Sequence, residues 1–503
     1  MTARSQVAAP AALAVIFIVS VALYWYGLGP GDAEHYMEAA LRWQDGPWLG
    51  ENHWSLRHLF VLPMAASFKL FGTSEAAAMI PNILYAAMTV AITWTFGRRH
   101  LGDHAAFLAA ALMATSAFFV ARPLELDVYG AEAFFAALSC WLFITARRSA
   151  RRGLILIAAG ACAGLAWTVR EQSAYLVVAF GLLLLLERKQ PLQSITFVGA
   201  GFAAVIAAEL LLYTIAAGDP LYRYRIDLGH RDIGVNAQMT AEQARLPARA
   251  ARLARYLATT PATTPMLLLA AGASYYLHRT RALSPSAGRS AIVVFSAVGV
   301  ISALVASIAF NVSATRYFPL LTYAAFLIVA VAIVQIFMRG RPRAAVAVAA
   351  SVLAVNVAAA DFTRDGDYAE ARALADIAMV SAEPIFADPL SVHRARYQLR
   401  LKGWTMAAAS ARVRNARDAA AGDLIFKTDR LNPSEPNCVI RQMDLRKTGW
   451  THFVLRESGA AKLLGARVEE IVAPPQPAYL LRLLKTPASG GPASGAPCSR
   501  GSL

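Results

Sequence analysis

Asp32 follows directly on the first apolar run of the chain. A carboxylate there can take the proton of a hydroxyl nucleophile or help to hold a metal. It can equally cap the helix that begins near Glu34, in the stretch Asp32-Ala33-Glu34-His35, and the two roles are compatible. Asp127, in RPLELDVYG, stands at the end of another apolar run, with Glu125 two residues before it. The pair either shares a site or is simply solvated. Arg122 and Arg316 lie in loops otherwise poor in basic residues, and Arg57 lies in HWSLRH (53–58). Guanidinium forks suit phosphate oxygens, and snorkelling to a membrane interface is the alternative use. Arg170 and Glu171 stand side by side between two short apolar runs, as an ion pair or as binders of a substrate charge. Glu51, His53, His58 and His230 have the ligand types for a divalent metal, but no HxxxH or HExxH spacing joins them. A metal therefore stays an open alternative to interfacial polar residues, and no motif calls for another cofactor.

The elements that position these residues are membrane helices. Of 503 residues, 57% are hydrophobic and only 16% charged, against about 45–50% and about 25% in soluble domains. Mean hydropathy is +0.45. This excludes a disordered protein, a disulfide framework and an ordinary cytosolic enzyme. Crossing a bilayer takes about 20 mainly apolar residues. Such runs occur at 10–28, 77–97, 105–121, 128–146, 153–169, 173–186, 192–217, 262–277, 290–309, 317–337 and 344–360, which makes eleven spans. The first has a cleaved signal peptide as its alternative, but it is long for one, lacks a clear cleavage site and is followed by more spans, and it is read as a retained first helix. The pair 153–169 and 173–186 is short, and a re-entrant hairpin is its alternative.

The formal charge of +16 is concentrated in short loops between these runs, which is how membrane orientation is encoded rather than nucleic-acid binding. Arg98/Arg99, Arg147/Arg148/Arg151/Arg152, Arg188/Lys189, Arg279/Arg281/Arg289 and Arg339/Arg341/Arg343 mark alternate loops as cytoplasmic. The N-terminus is then cytoplasmic. Segments 29–76, 121–127, 170–172, 218–261, 310–316 and the tail from Asp361 face the other side. Residues 57–72 carry Arg57, His58, Pro63 and Lys69 among apolar residues and read as an interfacial helix. Residues 241–258 place Leu246, Ala250, Leu253 and Leu257 at helical spacing among arginines, an amphipathic surface helix or a solvated loop helix.

From residue 361 the composition is that of a soluble domain. PIFAD (384–388), DLIFK (423–427), THFVLRE (451–457) and AYLLRLL (478–484) read as strands, and 367–379 has helical periodicity. The expected division is a membrane domain over 1–360, a small α/β domain over 361–485 and a Pro/Gly/Ser-rich disordered tail over 486–503. Cys140 and Cys162 lie in apolar runs, whereas Cys438 and Cys498 would pair if the tail faces an oxidising space.

No Walker motif, dinucleotide fingerprint or nucleophile elbow occurs. A site on the outer face has no nucleotide supply, so an activated group must arrive attached to a lipid. A transporter or flippase would show inverted repeats and polar groups at mid-span. No repeat is evident, and Glu132 and Glu209 are the acids that stand out within the runs. A non-catalytic envelope assembly protein is the remaining alternative.

GDAEHYMEAALRW (31–43), LPMAASFKLFGTSEAAAMIPNILYAAMTV (62–90), RPLELDVYGAEAFFAALS (122–139) and, more weakly, RYFPLLTYAAFLI (316–328) together resemble the polytopic glycosyltransferases of the GT-C fold. The closest resemblance is to the group of protein O-mannosyltransferases and the lipid A aminoarabinose transferase, and it covers about residues 1–360. It implies a polytopic α-helical fold of about eleven spans and a soluble outer domain. The implied donor is a polyprenyl-phosphate sugar and the implied acceptor an envelope glycolipid, glycan or protein. The implied location is the bacterial inner membrane, with transfer on the periplasmic face. It assigns Asp32 as the base that activates or positions the acceptor and gives Asp127 a supporting role. Relatives carry a basic residue and two prolines before the LFG stretch. Here HWSLRH lacks the prolines, and Arg57, His53 or His58 takes the place of the phosphate-binding group. Arg57, Arg122 and Arg316 are thus the phosphate-binding candidates, with Glu34, His53, His58, Arg170 and Glu171 in support.

Overall fold

The computed structural model describes residues 3–25, 27–28, 32–44, 46, 49–187, 190–231, 245–260, 263–280, 287–309, 318–362, 369–428, 431, 437–445, 477–483 and 496–497. They fold as two compact units. The first comprises Met1–Trp25, His35–Leu70 and Ala78–Thr363, and the second Tyr26–Glu34, Phe71–Ala77 and Arg364–Leu503. The second unit thus takes in two short segments that sequence places in the membrane domain.

Among the described residues, the regular elements of the first unit are all helices. Each of the eleven apolar runs forms a helix or most of one. Among the described residues, seven helices are long and apolar enough to cross a membrane, and an eighth span results if Asp103–Ala114 and Ala117–Glu125, bent by 55°, count as one. Ala8–Tyr24 and Glu171–Leu185 are apolar but shorter, and Thr264–Arg279 has 16 residues. His58–Phe71 and Leu246–Thr259 are helices at the two places where amphipathic segments were expected.

Close packing in this unit rests on small residues, as suits helices that gain no hydrophobic driving force from one another in lipid. Helix Arg152–Val169 crosses Pro191–Ala217 so tightly that a Cβ on Gly160 would lie 2.0 Å from the Val198 carbonyl oxygen, and one on Gly201 1.9 Å from that of Ile157. A buried polar cluster ties further helices together. Trp141 Nε1 donates to the Tyr323 hydroxyl at 2.8 Å, Thr93 Oγ1 bonds the same hydroxyl, and Tyr323 stacks on Phe295. At the 55° bend the backbone carbonyls find other partners. Tyr24 donates to Thr115 O at 2.8 Å, and Asn356 Nδ2 to Leu112 O at 3.0 Å.

The second unit is the α/β domain expected of the tail. Its strands are β1 (Ile385–Ala387), β2 (Val413–Asn415), β3 (Leu424–Lys427), β4 (Asn437–Asp444), β5 (Pro477–Leu483) and β6 (Ala496–Pro497), in the order β2-β1-β3-β5-β4-β6. β1 pairs in parallel with β2 and β3, and β5 lies antiparallel between β3 and β4. Helices Ala369–Val380 and Pro389–Leu401 bury Leu374, Ala378, Val392 and Leu399 with Ile385, Phe426 and Leu480 of the sheet. Asp388 caps the second of these, accepting from Leu390 N and Ser391 N at 3.1 Å. Cys438 is disulfide-bonded, while Cys140 and Cys162 are free. The strand expected at 451–457 and residue Cys498 lie outside the described residues. The tail expected to be disordered from residue 486 contributes β6, which pairs with Cys438 and Val439.

Candidate active site

At one end of the helical unit, polar residues from four segments interlock. Helix Tyr222–Arg231 supplies Arg223, whose side chain is 1% exposed. Its Nη1 donates to Glu209 Oε1 at 2.6 Å and to the Thr168 carbonyl at 2.8 Å, its Nη2 pairs with Glu171, and its Nε lies 3.4 Å from Asp227 Oδ2. The guanidinium also faces the Trp167 ring at 5.3 Å. One buried cation therefore answers three carboxylates. Burial and the adjacent Glu171 carboxylate push Asp227 up to about 7, against the pull of Arg223 and Arg57.

The neighbouring pair is separate. Arg170 Nη1 lies 3.1 Å from Glu132 Oε2, Ser173 Oγ donates to Glu132 Oε1 at 2.9 Å, and the guanidinium lies 4.6 Å from the centre of the Tyr129 ring. Arg170 and Glu171, adjacent in sequence, thus turn to different partners. The extended backbone at Arg170 (φ −158°, ψ 119°) between two helices sends consecutive side chains to opposite sides.

Segment 49–58 is held against the same helices. Tyr222 donates to Gly50 O at 3.2 Å and Tyr213 to Leu56 O at 3.4 Å. The Arg57 guanidinium bonds the Tyr36 hydroxyl and lies 5.8 Å from that ring. His53 packs on Trp54, which stacks on His35 at 4.1 Å. His58 meets the edge of Trp43 at 5.9 Å, and burial reinforced by the Arg223 charge lowers it to about 4. A ring lowered that far is neutral at pH 7 and supplies no charge to a phosphate, whereas Arg57 one residue before it is a cation.

Asp127 lies half-buried just before helix Tyr129–Ala146. Its loop is clamped by Asn82, whose Nδ2 donates to Pro123 O at 2.8 Å and to Asp127 O at 2.9 Å. Leu126 is left-handed there (φ 58°), a strained conformation for a branched residue and one that such clamping sustains. Arg122 pairs with Glu125 at 2.5 Å, so part of its charge is spent inside the loop. Arg316 and the His230 side chain lie outside the described residues.

In the second unit, Asp32 is exposed, directly before helix Ala33–Gln44. Glu34 is buried, with Oε1 3.8 Å from Arg394 Nε of helix Pro389–Leu401. Among the described residues no three His, Cys, Asp or Glu side chains form a group that could hold a metal. Sequence reasoning missed Arg223, Asp227 and Arg394. The solitary acids Glu132 and Glu209 within apolar runs were the available signal, because an intramembrane carboxylate calls for a partner.

Residues 59–213 match the family model described as dolichyl-phosphate-mannose-protein mannosyltransferase. Among solved structures, the chain is similar to ArnT from Cupriavidus metallidurans in the apo state, with 13% identity and a TM-score of 0.56 over 88% of this chain and 97% of that one. It is likewise similar to the same protein bound to undecaprenyl phosphate, with 12% identity and a TM-score of 0.54 over 86% and 94%. The Archaeoglobus fulgidus oligosaccharyltransferase in the apo form matches with 11% identity and a TM-score of 0.50 over 84% of this chain. The chain spans 61–66% of the length of the archaeal oligosaccharyltransferases it matches. No curated protein sequence matches it. The chain thus has the fold of the GT-C membrane glycosyltransferases, and its residues 59–213 match the dolichyl-phosphate-mannose-protein mannosyltransferase family.

Proposed function

We propose that the protein transfers a sugar from a polyprenyl-phosphate donor to an envelope acceptor, a glycolipid, glycan or protein, on the outer face of a bacterial inner membrane. The observation that carries this reading is the family match over 59–213, a segment that begins beside Arg57 and takes in Asp127, Arg170 and Glu171. The similar ArnT structure is bound to undecaprenyl phosphate, which supports a lipid-linked donor here.

Asp32 takes the proton from the acceptor hydroxyl as it attacks the anomeric carbon. The lipid phosphate leaves with the bonding pair, and a single displacement inverts the configuration. Phosphate leaves readily, so the main task on that side is to offset its charge. Arg57 is the first candidate, and Arg122 and Arg316 are the further ones. Asp127, in its Asn82-clamped loop, orients or reinforces the acceptor side. The Arg223 network holds segment 49–58 and Glu171 in fixed geometry for that task.

The outer location of the second unit has independent support in the Cys438 disulfide, because disulfides persist in oxidising spaces such as the periplasm. Alkaline phosphatase fused at residue 365 should be active, and a fusion at 150 silent; the reverse pattern would overturn this orientation. The reaction is tested in proteoliposomes with polyprenyl-phosphate sugars as donors. Release of polyprenyl phosphate coupled to glycosylated product supports the reading. Lipid movement across the bilayer without product would favour a flippase.

A further inference from the structure

A second amphiphile site lies far from the residues above. A cavity of about 350 Å³, at the low end of small-ligand pockets at ~300–1,000 Å³, is walled by Phe107, Leu108, Ile333, Phe337, Val346 and Ala349 and ends at Trp94 and Asp103. Trp94 and Asp103 also line an adjoining cavity of about 370 Å³, which is polar and bears Arg98 and Arg99. The dividing wall is well fixed. Arg98 Nε donates to Asp103 Oδ1 at 2.8 Å, and its guanidinium lies 5.0 Å from the centre of the Trp94 ring. An apolar slot and a chamber lined by arginine thus share Asp103 and the buried Trp94 as a common wall.

Asn82, which clamps the Asp127 loop, and Arg98 are sixteen residues apart on helix Glu75–Leu101, roughly 24 Å at 1.5 Å per residue. The slot is therefore at the opposite end of the unit from the candidate active site. It lies at the arginine-rich end: its wall residues Phe337 and Ala345 flank Arg339, Arg341 and Arg343. The Asp103 carboxylate is offset by Arg98, which leaves the exposed Arg99 as the net charge of the chamber.

We propose that this paired cavity is a binding site for an anionic glycerophospholipid, with an acyl chain in the slot and its phosphate at Arg98 and Arg99. Charge complementarity favours this occupant: the leaflet facing arginine-rich loops is the one whose anionic lipids attract them. The slot is a concavity lined by five helices, which distinguishes it from the exposed flanks of helix Pro191–Ala217, where any acyl chain can lie.

The test uses the full chain in detergent micelles with phosphatidylglycerol bearing a diazirine on one acyl chain, followed by peptide mapping of the crosslinks. Labelling should fall on the peptides carrying Phe107/Leu108 and Phe337/Val346. Unlabelled phosphatidylglycerol should compete and phosphatidylcholine should not. Arg98→Gln with Arg99→Gln should lower labelling roughly tenfold or more, at about fivefold for each basic side chain. Ala349→Trp should block the slot with both arginines intact. Monodisperse elution of each variant shows that it has folded. Equal labelling by a phosphatidylcholine probe, or labelling indifferent to both kinds of variant, would overturn the site. Stronger competition by polyprenyl phosphate than by phosphatidylglycerol would overturn the choice of occupant. The site stands independently of the sugar-transfer reading, since neither probe nor readout involves the reaction.

Discussion

The Arg372 guanidinium reaches the Glu75 carboxylate at 3.2 Å and the Leu28 carbonyl at 3.3 Å, while Leu28 N donates to the same carboxylate at 3.3 Å. Helix Ala369–Val380 of the tail thereby holds both short segments, 26–34 and 71–77, that join it in the second unit. One of them carries Asp32. Gly27 shows how close this join is. It is left-handed (φ +79°), and a Cβ there would lie 2.2 Å from both Arg372 Nη2 and Glu75 Oε2.

Breaking the join should impair the reaction without touching reacting atoms. Arg372→Glu and Glu75→Arg should each lower sugar transfer roughly tenfold, and the double charge reversal should recover most of it, a coupling of about 1–2 kcal/mol. A double-mutant cycle on transfer rate, with chymotrypsin cleavage after Tyr26 or Leu28 as a structural readout, checks this. Additive losses in the double variant would show that the pair does not act as a unit.

Removing Arg223 should cost far more in stability. Arg223→Gln leaves Glu171, Glu209 and Asp227 buried without their shared cation, on the scale of about 3–5 kcal/mol. Arg223→Lys should rescue little, because an ammonium cannot reproduce a fork that bonds Glu209, Thr168 O, Glu171 and Asp227 together. Thermal unfolding in detergent measures both, and a Lys variant as stable as the parent would contradict the fork.

The raised titration of Asp227 gives stability a definite pH dependence. Its folded value is about 7 and its ordinary value 3.8, so the folded state holds the proton more tightly. The stabilising contribution is full below about pH 4 and is lost as pH rises towards 7. Asp227→Asn should flatten this part of the curve and raise the Tm at pH 8 relative to the parent. An unchanged slope between pH 4 and 7 would remove Asp227 as its source.

The crossing of Arg152–Val169 with Pro191–Ala217 leaves no room for side chains at its closest points. Gly201→Val must displace the Ile157 carbonyl, 1.9 Å from the added Cβ, and should cost at least about 1–3 kcal/mol, as overpacking does. Gly199→Ala meets nothing within 4 Å and serves as the tolerated neighbour. Comparable Tm values for the two variants would contradict the packing.

Much of this architecture is legible in the sequence because its causes are local. A run such as 317–337 must be helical to satisfy its backbone in lipid, and it is helical from Pro319 to Met338. The alternation of DLIFK and AYLLRLL gives strands that lie side by side as β3 and β5. Partners that meet across distant segments carry no period. Glu209 and Arg223 are each conspicuous, but nothing local says that they meet, or that Glu171 joins them rather than Arg170. β2 has three residues and β6 two, too few for alternation to be recognised. Arg57 was legible as a basic residue of HWSLRH, but its bond to the Tyr36 hydroxyl was not. The neutrality of His58 depends on burial under helices that come much later in the chain.

The most direct measurement is sugar transfer by Asp32→Asn in proteoliposomes, with binding of the polyprenyl-phosphate donor measured on the same preparation. Asparagine caps a helix about as well as aspartate but lacks the basic oxygen. The account predicts normal insertion, near-normal donor binding and turnover at least about a hundredfold slower, the scale of general-base assistance. Turnover close to that of the parent would contradict it and leave Asp32 as no more than the residue before a helix.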